Sequence, residues 1–69
     1  MPSSLYEIEV RGVIGASALA ALDGFDVVST KGGATRLRGR VVDQSALHGL
    51  LHQVAGLGLE LMAAIPVED

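Results

Sequence analysis

The segment Asp43–Gly58, Asp-Gln-Ser-Ala-Leu-His-Gly-Leu-Leu-His-Gln-Val-Ala-Gly-Leu-Gly, leaves less conformational freedom than any other stretch of this 69-residue chain. Leu47, Leu50, Leu51, Val54 and Leu57 recur at steps of three and four, the spacing that lines one side of an α-helix. His48, His52 and Gln53 fall away from that stripe. Asp43 or Ser45 supplies an acceptor for the first free amides, and Gly58 suits the left-handed residue that ends a helix. A helix with one apolar side must lie on something, and the flanking sequence provides a sheet.

From Leu5 to Arg11 the residues alternate strictly, Tyr6, Ile8 and Val10 on one side and Glu7, Glu9 and Arg11 on the other, as in a half-buried strand. Gly12 and Gly15 bracket a turn, and Ala16 to Leu22 form a short helix that rests Leu19 and Leu22 on the sheet before Asp23-Gly24 stops it. Phe25 to Thr30 read as a second strand with Phe25 and Val27 inward, and Lys31-Gly32-Gly33 as a hairpin turn. The third strand, Thr35 to Val42, puts Arg36, Arg38 and Arg40 on one face and Leu37, Gly39 and Val41 on the other. A glycine on the inward face reads as a place where a helix backbone comes close. After the long helix, Leu59 to Ile65 form a fourth strand with Leu59, Leu61, Ala63 and Ile65 inward, and Pro66 closes it. Residues 1–4 and 67–69 are expected to be frayed ends of a single domain spanning 1–69.

The element order is therefore β-α-β-β-α-β. Right-handed crossovers on one sheet face turn it into an α+β, ferredoxin-like two-layer sandwich with antiparallel strand order 4-1-3-2. Two details agree with that order. It places the proline-bearing fourth strand at an edge, where a missing donor is tolerated. It also makes the first and third strands neighbours, so Glu7 and Glu9 face Arg36, Arg38 and Arg40 across the open surface, each opposite-charge pair contributing about 0.2–1 kcal/mol.

A domain this short buries only about 60% of the surface of its unfolded chain and commonly needs disulfides, a metal or self-association. There is no cysteine, which removes disulfides and thiolate metal sites and fits a reducing compartment. The net charge of −3 argues against a general nucleic-acid binder. Neither a signal peptide nor an apolar run of about 20 residues is present, so the expected location is the cytoplasm and no membrane partner is expected.

Four groups of residues could carry chemistry. His48 and His52 stand four apart on the helix, near enough to chelate a metal, but position 49 is glycine and no further histidine or cysteine supplies a third ligand. They read as polar residues on a solvated flank, and a metal there would have to be shared between subunits. Glu7 and Glu9 are paired carboxylates, explained by the arginine strand without acid–base catalysis. Arg36, Arg38 and Arg40 could meet phosphates, yet RNA-binding sheets rely on aromatic platforms, and Tyr6 and Phe25 both point inward. Gly12 to Gly15 could present amides to an anion, without the spacing of a dinucleotide or P-loop fingerprint. Leu5, Val28, Met62 and Ala64 are apolar positions expected on the open face or its edges, and such spots among charges mark a self-association surface.

The core Leu37-Arg38-Gly39-Arg40-Val41-Val42-Asp43-Gln44-Ser45-Ala46-Leu47-His48-Gly49-Leu50-Leu51, with Leu57-Gly58-Leu59-Glu60-Leu61, resembles a group of short uncharacterised bacterial proteins. That resemblance implies no activity, but it singles out Asp43, Gln44, His48 and Gly49. A glycine inside a helix costs about 1 kcal/mol relative to alanine, so something is expected to approach Gly49 closely. The architecture is also similar to ACT-type regulatory domains, which implies a small ligand, such as an amino acid, bound near Gly12 and Gly15 at a subunit interface. Taken together, the expectation is a non-enzymatic, cofactor-free protein-interaction module. It forms a homodimer or higher oligomer, or binds another protein, through its open sheet face, with Glu7, Glu9, Arg36, Arg38, Arg40, Met62 and Ala64 as the interface, or equally through its edge strands. The alternative is an ACT-like ligand-binding domain.

Overall fold

The computed structural model describes residues 3–68. Its elements follow the expected order: β1 (Ser4–Arg11), α1 (Ala16–Ala21), β2 (Phe25–Lys31), β3 (Ala34–Val41), α2 (Gln44–Gly56) and β4 (Leu61–Val67). The four strands form one antiparallel sheet in the order β2-β3-β1-β4, which is 4-1-3-2 counted from the other edge.

Alternation places Ile8 and Val10 of β1 and Leu37 and Val41 of β3 on one face of the sheet, and the helices cover that face. These four residues pack with Leu22, Phe25, Leu47 and Val54 into a single core, and Leu19, Leu50, Leu51 and Leu59 flank it. Thr35 is a buried polar residue on this same face, and its hydroxyl donates to the Gly12 carbonyl at 2.6 Å. Gln53 ties the two helices by donating to the Ala21 carbonyl at 2.5 Å.

The helix signals act as the sequence predicts. Asp43 caps α2 by accepting from the Ala46 amide at 2.8 Å. At the other end Gly58 takes φ +76°, its amide bonds to the Ala55 carbonyl and the Leu59 amide to that of Val54. That pair of bonds is a Schellman motif, with Leu59 supplying the accompanying apolar contact. The β2–β3 hairpin turns through Gly32 and Gly33, both at positive φ, as a two-residue loop with the right twist requires.

Several expectations change. Ser4 and Val67, assigned to frayed ends, lie inside β1 and β4, paired with Val41 and Leu5 respectively; Met1, Pro2 and Asp69 lie outside the described residues. The fourth strand starts at Leu61 rather than Leu59, because the Leu59 amide is still held by the helix cap. Pro66 does not close it but sits within it, opposite Tyr6, on an edge strand where its missing donor faces outward without loss.

A register shift beside Glu9 and Val10 makes Met62 an extra residue in β4, and a one-residue slip moves every later side chain to the other face. Ala63 and Ile65, expected inward, thus share the open face with Glu9 and Glu7, while Ala64 packs against the core beneath Ile8. Val27 keeps its inward register opposite Leu37 but is 42% exposed, since β2 is an edge and α1, six residues or about 9 Å long, leaves it uncovered. Gly39 serves no helix: a Cβ there would strike the Gly24 carbonyl and come within 2.7 Å of the Phe25 ring, which lies across it from the paired strand.

Candidate functional site

With both helices on one side, the other face of the sheet is open, and its side chains fall into rows because directly opposed residues share a face. One row reads Asp26, Arg38, Glu7, Ile65 from β2 to β4; the next reads Ser29, Arg36, Glu9, Ala63; and on the other side Arg40, Leu5 and Val67 align. Read down the strands, β3 is a basic column, β1 carries the two acids, and β4 is an apolar ridge of Ala63, Ile65 and Val67.

Glu7 is the centre of this face. Its Oε1 accepts from Arg38 Nη2 at 2.9 Å and its Oε2 lies 3.1 Å from Arg36 Nη2, so two guanidiniums clamp one carboxylate. The arginine side chains remain 52% and 43% exposed, whereas the Glu7 side chain is only 9% exposed. Arg36 therefore reaches diagonally past Glu9, its direct cross-strand neighbour, and Glu9 makes no ion pair among the described residues. Both acids look equivalent in the alternating sequence, but the diagonal reach of Arg36 separates a committed carboxylate from an available one. Arg11 pairs with Glu60 at 3.1 Å in full solvent, a contact of small energetic weight.

Beside the clamp, toward β2, lies a shallow depression of about 410 Å³ lined by Asp26, Val28, Arg38, Arg40 and Leu5, with Gly24 and Gly39 at its floor. Val28 is the extra residue of a second irregularity, where the β2–β3 register shifts between Val27 and Ser29. Both edge strands thus carry a bulge, β2 at Val28 and β4 at Met62, and β4 carries Pro66 as well. Bulges and proline are the devices that keep an edge strand from pairing with another chain.

The other candidate residues are scattered. Gly12 takes φ +90°, but its amide donates to the Gly33 carbonyl at 2.6 Å and its carbonyl accepts from Thr35, so neither group is free for a ligand. Gly15 precedes a helix of only six residues. His48 and His52 are exposed on α2, and among the described residues no three His, Cys, Asp or Glu side chains gather where they could hold a metal. Among the described residues nothing lies within 4 Å of a Cβ built on Gly49, so the close approach expected there does not come from them. Met62 is 45% exposed at the β4 bulge, and Ala64 belongs to the core side rather than to the open surface. Ile65, Val67 and Ala63, which take the place meant for Ala64, carry no signal in the sequence beyond the strand itself, because the bulge that turns them outward has none.

Fold and surface together define a class: small α+β proteins with one helix-covered and one open sheet face. Residues 5–64 match the family described as Domain of unknown function (DUF8691), and the chain belongs to that family. No curated protein and no solved structure matches it. No helix among the described residues is long and apolar enough to cross a membrane.

Proposed function

We propose that this chain is a non-enzymatic interaction module of the ferredoxin-like kind that self-associates through the open face of its sheet. One observation carries the reading: a complete four-stranded face lacks a covering layer, yet it is organised, with a clamped carboxylate at its centre and an apolar ridge at one side. A chain of 69 residues with helices on one face only has a single thin core, and a second layer over the open face is the usual remedy. The edge strands are the poorer route, since both are bulged and one contains proline. Commitment of Glu7 to two arginines takes one member of the Glu7–Glu9 pair out of acid–base work, which favours recognition over catalysis. The absence of cysteine fits work in a reducing compartment such as the cytoplasm.

Light scattering across a concentration series tests the reading. A mass of twice the chain or more, lost when Ile65→Glu places a charge on the ridge, is the expected result. A mass of one chain at every concentration would remove self-association and leave the face as a docking site for a different protein.

A further inference from the structure

We infer that two copies of this chain stack open face on open face about a two-fold axis parallel to the strands, so that the β4 ridge of each copy seats in the β2–β3 depression of the other. The inference rests on the self-association reading above and supplies its geometry.

Sheets that pack face to face keep their strands roughly aligned, about 10 Å apart. A two-fold axis lying between them can then run across the strands or along them. With the axis across the strands, each strand covers its own copy. The basic column of β3 then faces the partner's basic column, and Glu7 and Glu9 face the partner's acids. Like charges set opposite each other across an interface are unfavourable by several kcal/mol.

With the axis along the strands, the order β2-β3-β1-β4 is laid over β4-β1-β3-β2 and each row stays over its own row. The acids of β1 then cover the arginines of β3. Glu9, the acid without an ion pair among the described residues, meets the partner's Arg36, whose guanidinium has donors beyond the one given to Glu7. The same operation places β4 over β2. Ile65, 48% exposed, shares its row with Arg38 and Asp26, two residues that line the depression, so the ridge of one copy arrives over the hollow of the other. The charge pattern of the two central strands and the surface shape are separate observations, and one symmetry operation satisfies both.

Four strands about 4.8 Å apart and seven residues long give a footprint of roughly 450 Å² per copy. The total, roughly 900 Å², falls below the 1,200–2,000 Å² of stable complexes, so the dimer is reversible on dilution.

The chain has no cysteine, which makes thiol cross-linking a direct test. Two variants, Val28→Cys and Ile65→Cys, change half-exposed apolar positions and should fold. A bis-maleimide reagent with a span of about 10 Å, near the sheet spacing, reads the geometry. In the strand-parallel dimer position 65 lies three strand spacings, about 14 Å, sideways from its own copy but over position 26 of the partner, with position 28 two residues, about 7 Å, further along the same strand. Neither variant alone should cross-link, and their mixture should yield about tenfold more cross-linked dimer than either, through the raised effective concentration within a complex. Efficient cross-linking of Ile65→Cys to itself, with scattering still reporting a dimer, would establish the strand-perpendicular axis and overturn this arrangement alone. A dimer with no cross-link in the mixture would place the interface elsewhere and overturn it too. A monomer throughout would sink the self-association reading and this inference with it.

Discussion

The covered and the open face of the sheet draw on alternate residues of the same strands, yet they differ in how much one residue decides. On the covered face Ile8, Val10 and Leu37 are fully buried and touch the helix layer, and the one glycine there is filled by the ring of Phe25. On the open face the only residue buried to a comparable degree among the described residues is charged: Glu7, shielded by two arginines that stay half in water. The covered face is held by area removed from water and by shape. The open face is held by a charge pattern that leaves most of its apolar surface, on β4 and at Val28, available to a partner.

That contrast can be broken most directly by truncation. Leu37→Ala should destabilise the fold by about 2–5 kcal/mol, the cost of a buried leucine plus its cavity. For a chain whose whole stability is of order 3–10 kcal/mol, a urea titration should show most of the cooperative transition lost. Ile65→Ala, the equivalent cut on the open face, should lower the unfolding free energy in dilute solution by less than about 0.5 kcal/mol. Equal effects at the two positions would mean that the faces are not distinct.

Gly39→Ala is next in size. The new methyl would meet a backbone carbonyl and a ring already in place, and overpacking of that kind costs about 1–3 kcal/mol. Pairing with Phe25→Leu, which removes the ring, should recover part of the loss; no recovery would assign the effect to the Gly24 carbonyl instead.

On the open face Glu7→Gln keeps the shape and removes the charge between Arg36 and Arg38. Because both guanidiniums are about half exposed, the expected loss is only about 1 kcal/mol. Raising the salt to 1 M should shrink the difference between variant and parent, as screening weakens the clamp. A salt-independent loss would mean that Glu7 acts through packing, and the two faces would then work alike.

How legible all this was depends on where backbone irregularities fall. The period of three and four from Leu47 to Val54, the cap at Asp43 and the stop at Gly58 are local signals, and α2 follows them. The element order with right-handed crossovers was enough for the strand order, and the opposition of acids on β1 to arginines on β3 agreed with it. What alternation could not foresee is the insertion of one residue: Met62 and Val28 look like ordinary strand residues, and only the pairing shows them as extra. From Met62 onward the faces of β4 are exchanged, so the surface expected at Ala64 is found at Ala63, Ile65 and Val67. The edge position makes this tolerable, since β4 has one neighbour to stay in register with and β1 has two. Glu7 and Glu9 were indistinguishable for a different reason: a diagonal reach by Arg36 depends on side-chain geometry, which spacing along one strand does not encode.

The smallest expected effect bears on the layer behind the sheet. Gly49 sits within α2, is exposed and has open space where a side chain would go, so nothing among the described residues requires it. Gly49→Ala should raise stability by about 0.5–1 kcal/mol, by adding helix propensity and restricting the unfolded chain. If the open sheet face carries self-association, the oligomer's dissociation constant should not change, because the substitution lies on the opposite side of the molecule. Gly49→Leu sharpens the point, as a large exposed side chain on a helix flank also has room in the isolated chain. Weakened association with either variant, alongside unchanged or improved thermal stability, would show that a partner's backbone needs the glycine. The helix layer would then be the interaction surface, and the open sheet face would have to be explained by stability alone.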